Sequence, residues 1–252
     1  MAARDELIAH LDELLDVGSF EDYGPNGLQV PGAAEVSLVA SGVSAHAELF
    51  RRAAEAGAQL VICHHGMLWD AQPRPVTPAM RRRLELLFAA DISLAAYHLP
   101  LDAHPELGNN ALICEALGLR RAEPFGRHRG RPIGWVARSD AGVPFEELRE
   151  RCRSTFGQEP FAWACGPDPV RSIGVVSGGG ASSLAEAAQL GLDALLTGEP
   201  AEYAMADARE AGVHFIAAGH YATETFGIRA LGDRLAERFG VEHRFIGVPN
   251  PI

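Results

Sequence analysis

Short apolar runs and amphipathic stretches alternate along the first half of the chain. Apolar runs at 36–43, 58–63 and 92–97 predict strands, and helical spacing of apolar residues predicts helices at 45–56 and 78–90. A strand, helix, strand order is typical of parallel sheets whose faces are covered by the connecting helices. The first half is therefore predicted to form an α/β domain.

A second series of elements follows a basic, glycine-rich segment at 124–131, which we interpret as a domain boundary. Its predicted strands begin near Ile133, Ile173, Ala194 and His214, and its predicted helices cover 144–156 and 182–190. These limits predict a first domain of residues 1–124 plus 225–252. Residues 125–224 are predicted to form a second domain inserted in the first.

The two series share an internal repeat. Residues 53–62 and 187–196 both read as a helix end, a glycine and a buried strand, and each is followed by a helix and a strand that ends in histidine. An acidic residue follows each histidine four positions later, and the two pairs are His98 with Asp102 and His220 with Glu224. The repeat predicts two related α/β domains with mixed sheets flanked by helices. A metal site is expected in the crevice between them.

Several loops have patterns that leave their roles open. The loop at 22–32 fits either a plain surface connection or a functional loop. The glycine run at 178–180 follows a strand and fits either close packing or a phosphate cradle. A polar loop is predicted at 99–110, with Asn109 or Asn110 starting the next helix.

Composition restricts the classes of partner. The 252 residues carry a formal net charge of −11, which argues against broad, phosphate-driven binding to nucleic acid and favours metal cations or small molecules. No apolar run reaches the roughly 18 to 20 residues of a membrane helix. Residues 1–15 fit an amphipathic helix better than a signal peptide. The four cysteines are scattered and fit buried, reduced thiols, so we expect a cytoplasmic protein without a membrane partner.

Histidine and carboxylate side chains occur where the predicted strands end. His64 and His65 follow an apolar run directly, and ligands gather at such strand ends in open α/β sheets. The chain offers five candidate ligands of these types, more than one catalytic ion binds, so we expect two divalent ions per subunit, of zinc, iron or manganese. Ions roughly 3.5 to 4 Å apart can hold a hydroxide between them. We predict that Glu224 bridges the two ions, because Thr223 and Glu224 are expected at the start of a helix. The five candidate ligands are His64, His65, Asp102, His220 and Glu224.

His98 is a sixth candidate whose role stays open. It could be a ligand, an orienting partner or a proton shuttle, and its equivalence to His220 in the repeat argues against a bystander. Trp69 and Asp70, near the histidine pair, are interpreted as loop packing. The remaining histidines lack a strand-end position and are interpreted as surface or structural residues: His10, His46, His104, His128, His214 and His243.

Several motifs resemble those of one protein family. They are Asn26-Gly27-Leu28-Gln29-Val30, His64-His65, His98-Leu99-Pro100-Leu101-Asp102-Ala103, Gly108-Asn109-Asn110, Thr197-Gly198-Glu199, Gly219-His220-Tyr221-Ala222-Thr223-Glu224 and Pro249-Asn250-Pro251. Over nearly its whole length the chain is similar to the Nif-three-like dinuclear-metal-centre proteins. Members of this family are often labelled type-two GTP cyclohydrolase I homologues.

The resemblance implies an assembly and a ligand assignment. Members of the family are toroidal homohexamers whose metal sites face an internal cavity. Gly66 stands where the family usually has proline, and Leu99 replaces a common threonine. Neither change touches a proposed ligand, and the sequence leaves their effect on the shape of the substrate pocket open. The implied assignment is His64 and Asp102 on one ion, His65 and His220 on the other, Glu224 on both and His98 beside them.

We expect a metal-dependent hydrolase that acts on a nucleotide-like or other small cyclic substrate, with GTP as one candidate. Metal-bound hydroxide would attack the substrate, and Glu224 or His98 would assist proton transfer as catalytic residues. A non-catalytic metal-binding assembly or regulatory protein is the alternative. A nucleic-acid-binding module is disfavoured, because it rests only on the basic segment at 120–131 and on the idea of a ring cavity.

Overall fold

A computed structural model describes residues 1–72 and 75–252. Residues 73 and 74, between His65 and the helix expected at 78–90, lie outside the described residues. The chain divides into two compact units. Unit 1 comprises Met1–Leu101 and Gly227–Pro249, and unit 2 comprises Asp102–Phe226 and Asn250–Ile252.

Strands and helices alternate through both units. The strands are β1 (Ala2–Ala3), β2 (Gly27–Val30), β3 (Glu35–Val36), β4 (Leu38–Ser44), β5 (Leu60–His65), β6 (Ser93–Ala96), β7 (Arg120–His128), β8 (Arg131–Val143), β9 (Phe161–Trp163), β10 (Val170–Val175), β11 (Ala194–Thr197), β12 (His214–Ala217) and β13 (Glu242–Phe245). The α-helices are α1 (Arg4–Leu14), α2 (Ala47–Ala56), α3 (Pro78–Ala89), α4 (Leu99–Ala103), α5 (Asn109–Ala116), α6 (Phe145–Phe156), α7 (Leu184–Gln189), α8 (Ala204–Ala211), α9 (His220–Thr223) and α10 (Thr225–Phe239). Short 3-10 helices cover Val17–Ser19 and Gly180–Ser183.

Unit 1 is built on a five-stranded sheet with the order β13, β4, β5, β6, β2. The pairs β13–β4, β4–β5 and β5–β6 are parallel, and β2 is an antiparallel edge strand beside β6. α2 follows β4 and buries Leu49, Phe50 and Ala53 in the apolar core of this unit. Because β5 and β6 are parallel neighbours, their carboxyl ends lie side by side, and these ends lead into His65 and His98.

Unit 2 is built on a six-stranded sheet with the order β7, β8, β10, β11, β12, β9. β10, β11 and β12 are parallel, whereas β7, β8 and β9 pair antiparallel with their neighbours. Leu195 and Phe215 belong to one apolar cluster and Leu196 and Ile216 to another, because successive side chains of a strand point to opposite faces. The predicted fold class, mixed α/β with mixed sheets flanked by helices, is confirmed.

The observed division of the chain differs from the expected boundary at residue 124. β7 pairs with β8 in an antiparallel hairpin, and Ile113, Leu117 and Leu119 belong to an apolar core of unit 2. Residues 102–124 therefore belong to unit 2, since both their strand pairing and their apolar packing lie there. The basic segment at 124–131 is part of this hairpin, whose turn contains Arg129 and Gly130 at positive φ of 46° and 83°.

Three local expectations near the candidate ligands need correction. His64 and His65 are the last two residues of β5, because the strand begins at Leu60 and extends beyond residue 63. Asp102 lies in the short helix α4, where a loop was expected; the Leu101 amide donates to the His98 carbonyl at 3.0 Å and begins this turn. Glu224 lies between the last residue of α9, Thr223, and the first residue of α10, Thr225, so it does not open a helix.

Each unit contains three successive parallel strands: β4, β5 and β6 in unit 1, and β10, β11 and β12 in unit 2. Helices α2 and α3 connect the first set, and α7 and α8 connect the second. That the two units arose from a duplicated sequence stays a prediction. None of the helices in the described ranges is long and apolar enough to cross a membrane.

Candidate metal centre

Three imidazole rings come together at the edge of the unit 1 sheet. The ring centroids of His64, His65 and His98 lie 4.9 to 5.6 Å apart. One candidate ligand nitrogen from each ring lies within 4.8 Å of the other two. Neutral imidazoles at this spacing fit the coordination of a divalent transition-metal ion.

Hydrogen bonds to Nδ1 orient the rings of His64 and His65, and the one made by His64 also decides which of its nitrogens has a lone pair for a metal. His64 Nδ1 lies 3.0 Å from the carbonyl oxygen of Tyr97. Because a carbonyl only accepts, this nitrogen carries the proton and Nε2 carries the lone pair. His65 Nδ1 contacts the Ser44 hydroxyl at 3.1 Å. Such contacts orient metal-binding imidazoles, so both histidines have the partners that ligands require.

His98 is held by Asp22, a residue to which the sequence analysis gave no role. The Asp22 Oδ1 atom accepts from His98 Nδ1 at 2.7 Å, and the Asp22 side chain is only 2% exposed. Burial raises the pKa of Asp22, but hydrogen bonds from His98, Asn26 and the Tyr23 amide outweigh burial and lower this pKa to about 2. Asp22 is therefore ionised, and the loop at 22–32 is more than a plain connection.

Asp102 is a buried carboxylate of unit 2. Its Oδ1 atom accepts from Asn109 Nδ2 at 2.8 Å and from the Ser177 hydroxyl at 3.1 Å. Asn110 in turn accepts from the Ser177 amide at 2.6 Å through its side-chain oxygen. The two adjacent asparagines, whose expected position at the start of a helix is confirmed, thus fix the orientation of the Asp102 carboxylate.

His220 lies between two carboxylates of unit 2. Its Nε2 atom is 3.1 Å from Glu224 Oε1, and its Nδ1 atom is 2.5 Å from Glu199 Oε1. Burial lowers the pKa of His220, but hydrogen bonds to Glu224 and Glu199 and their charges outweigh burial and raise this pKa to about 9. The site therefore attracts positive charge, which a divalent cation would also supply.

The glycine run at 178–180 packs closely against this group. A Cβ atom on Gly178 would overlap Glu224 Oε1 and lie 3.1 Å from His220 Nε2. The amides of Gly178 and Gly180 donate to threonine hydroxyls, at 3.1 Å and 2.9 Å. The sequence left two roles open for this run, and the contacts support close packing. Because Gly178 has no side chain, the Glu224 carboxylate and the His220 imidazole stay accessible to an ion.

The candidate ligands thus fall into two groups, and the residue types of both suit a divalent metal ion. Sequence reasoning missed the orienting residues. Glu199 stood in a family motif without an assigned role, whereas Asp22 gave no signal because it is 76 positions from His98. The group in unit 1 is His64 and His65 with His98 beside them, and the group in unit 2 is Asp102, His220 and Glu224.

Contacts of the other histidines agree with structural roles where they are seen. His46 caps α2 by accepting from the Leu49 amide, and His214 stacks on Phe145 with ring centroids 4.1 Å apart. Trp69 needs a different interpretation from simple loop packing. Its ring centroid lies 5.2 Å from that of His98 and 6.0 Å from that of His65, so it forms part of the wall beside the imidazoles.

Comparisons with known proteins find relatives that match this chain over almost its whole length. A protein of Pseudomonas aeruginosa is 42% identical over 251 residues, covering 99% of this chain and 98% of that protein. One of Deinococcus radiodurans is 40% identical over 249 residues, covering 99% and 94%. Both are named GTP cyclohydrolase 1 type 2 homolog. A solved structure of the structural-genomics protein ybgI, described as of unknown function, superposes with a TM-score of 0.95, 39% identity and full coverage of both chains.

The family model for Duf34/NIF3 (NGG1p interacting factor 3) matches residues 2–251. The match covers nearly the whole chain and both groups of candidate ligands. With relatives at 40% and 42% identity over 99% of its length, the chain belongs to the Duf34/NIF3 family.

Proposed function

We propose that this protein is a metal-dependent hydrolase of a nucleotide-like or other small cyclic molecule. In this proposal the protein binds two divalent ions per subunit, of zinc, iron or manganese. The observation that carries it is the donor set: imidazoles with Nδ1 partners in unit 1, and oriented, buried carboxylates in unit 2. The proposed ligands are His64, His65, Asp102, His220 and Glu224.

The residues of the chain have separate tasks in this proposal. Divalent ions supply Lewis acidity and lower the pKa of a bound water toward about 7. Glu224 and His98 are the groups that would hold or move a proton during hydrolysis. Asn109 and Ser177 keep the Asp102 carboxylate oriented, and Glu199 keeps the His220 ring oriented. Trp69 contacts two of the imidazole rings and restricts the space beside them.

The substrate class rests on names of relatives and on the ligand set. Curated relatives carry the name GTP cyclohydrolase 1 type 2 homolog, which points to a purine nucleotide as the first compound to test. Hydrolysis of a ring C–N bond needs a water nucleophile and a proton donor for the leaving nitrogen. Glu224 and His98 are the residues to which we assign the proton transfers.

Metal analysis tests the ion sites directly. Protein purified without chelator or immobilised nickel is expected to contain about two ions per chain. A His65→Ala variant should lose at least one ion while keeping the same circular dichroism spectrum. His10→Ala is the matched control, since His10 is outside both donor groups, and it should keep the wild-type metal content. Full occupancy in His65→Ala would contradict the assignment.

A turnover screen tests the chemistry. Nucleotides including GTP, and cyclic amides, are incubated with protein loaded with each metal, and Glu224→Ala is expected to lower any rate by at least roughly 100-fold. Glu202→Ala, an exposed acid in the same unit, is the control and should keep the wild-type rate. Turnover that is unchanged in Glu224→Ala would overturn the proposed mechanism. Metal-loaded protein without turnover on any compound would favour the non-catalytic metal-binding assembly or regulatory protein.

Assembly and location complete the proposal. We infer a toroidal homohexamer from the resemblance of the motifs to hexameric family members, and light scattering coupled to gel filtration should give a mass near six chains. A cytoplasmic location is supported by four free thiols, of which Cys63, Cys114 and Cys152 are buried. Cell fractionation that recovered the protein outside the cytoplasm would contradict that location.

A further inference from the structure

We propose that Asp22 is a positioning residue that fixes the tautomer and the orientation of His98, so that His98 presents Nε2 as its reactive nitrogen. The inference rests on the proposed function, in which His98 holds or moves a proton. It adds Asp22 to the residues that support that function, and it explains why Nε2 of His98, and not Nδ1, is the nitrogen that exchanges the proton.

The Asp22 carboxylate is held by four donors. Its Oδ1 atom accepts from His98 Nδ1 and from the Tyr23 amide, both at 2.7 Å. Its Oδ2 atom accepts from Asn26 Nδ2 and from the Leu99 amide, both at 2.9 Å. Four hydrogen bonds use about as many directions as an ionised carboxylate offers. Asp22 is therefore built to orient a neighbour and has no oxygen direction left for a metal ion.

The contacts of His98 follow from this arrangement. Because an ionised carboxylate only accepts, His98 Nδ1 carries the proton, and Nε2 carries the lone pair in the neutral ring. The His98 amide also donates to the Asn26 side-chain oxygen at 2.8 Å, so one asparagine binds both the carboxylate and the backbone beside the ring. A ring flip would replace the Nδ1 contact with a carbon atom at the carboxylate.

Packing on several sides limits other orientations of the ring. His98 is 18% exposed, and its centroid lies 5.0 Å from that of His64 and 5.2 Å from that of Trp69. The Asp22 carboxylate lies against the Nδ1 side of the His98 ring, so Nε2 points away from that carboxylate. Mutation of a carboxylate that orients a metal-binding histidine typically lowers metal affinity or activity by 10- to 100-fold.

The chain offers a matched carboxylate and histidine pair for comparison. His243 Nδ1 lies 2.7 Å from Asp233 Oδ1, the same separation as in the Asp22 pair. His243 Nε2, however, contacts the Ser41 hydroxyl at 2.7 Å, so both of its ring nitrogens are engaged within the fold. Asp233→Asn therefore makes the same chemical change at a histidine that is assigned no proton transfer.

The test uses full-length protein labelled with ¹⁵N-histidine, in metal-free and zinc-loaded forms. Long-range ¹H–¹⁵N correlations report the tautomer of each imidazole. We expect wild-type His98 to be protonated at Nδ1, and Asp22→Asn to give a mixture of tautomers because an amide can also donate. Asp233→Asn should leave the His98 signals unchanged. Should Asp22→Asn not fold, Asp22→Ser gives the same readout.

Kinetics separate positioning from simple support of the fold. With any substrate found in the turnover screen, Asp22→Asn should lower kcat by roughly 10- to 100-fold while KM and metal content change less than twofold. A His98 ring that keeps its Nδ1 proton in Asp22→Asn would overturn the proposal, as would loss of activity only in proportion to lost metal. The tautomer result stands even if no substrate is found, so failure of the hydrolase proposal is distinguishable from failure of this one.

Discussion

Gly178 lies directly against the Glu224 carboxylate in unit 2. An added Cβ atom would overlap Glu224 Oε1, and the Gly178 φ of +60° is itself a conformation that other residues rarely adopt. The preceding residue, Ser177, donates to Asp102 at 3.1 Å. Two consecutive residues of one turn thus set the positions of two candidate metal-binding carboxylates.

The Gly178→Ala variant is expected to lower metal affinity by at least roughly tenfold, because the new methyl group displaces the Glu224 carboxylate. Isothermal titration of metal-free protein with zinc measures this. Gly179→Ala is the matched control, since a Cβ atom there meets nothing within 4 Å and its φ is −82°. Equal zinc affinity in Gly178→Ala and wild type would contradict the assignment of Glu224 as a ligand.

Stability of the metal-free protein should depend on the protonation of His220. Glu224 and Glu199 overcome the effect of burial and raise the pKa of His220 to about 9, above its ordinary value of 6.5. The bound proton stabilises the fold fully below pH 6.5, and this contribution is lost as the pH rises through about 9. Urea unfolding across that window should show a decline that Glu199→Gln reduces. Glu202→Gln should keep the wild-type decline, and an equal decline in Glu199→Gln would refute the role of Glu199.

Gly232 in α10 is expected to be intolerant of a side chain. An added Cβ atom would overlap the ring of His243, which is fixed between Ser41 and Asp233. Gly232→Ala should lower the free energy of unfolding by about 1–3 kcal/mol, as overpacking of a core does. Chemical denaturation measures this, with Gly18→Ala as a control because a Cβ atom there meets nothing within 4 Å.

A double variant checks the cause of that destabilisation. In Gly232→Ala with His243→Ala the clash is removed, so the two effects should be less than additive. Additive free energies of unfolding would show that Gly232 and His243 do not interact, and would contradict the steric explanation.

Thiol reactivity should distinguish one cysteine from the other three. Burial raises the pKa of Cys114 and Cys152 to about 12 and raises that of Cys63 further, and all three side chains are inaccessible. Cys165 is half-buried. A thiol reagent at pH 8 should modify a single residue rapidly in the native protein and four after unfolding, and Cys165→Ser should abolish the rapid phase. A rapid phase that persists in Cys165→Ser would contradict the burial of the others.

The sequence by itself determined most of the secondary structure near the site and the chemical type of the donors. β11 was predicted over its observed range, 194–197, and β5 was predicted at 58–63, within two residues of its observed bounds at Leu60 and His65. These features are readable because an apolar run and its abrupt end are local properties of the chain. The imidazole and carboxylate side chains are likewise read directly from the sequence, and their chemistry suits a divalent metal ion.

Only the tertiary structure decided which residues orient those donors and where the units divide. Asp22 contacts His98 across 76 positions, and Ser177 contacts Asp102 across 75. Segment 102–124 belongs to unit 2 because β7 pairs with β8 and because Ile113 and Leu117 pack in that core. Strand order and side-chain packing bring such distant segments together. The local alternation of apolar and polar residues specifies neither the strand order nor the packing.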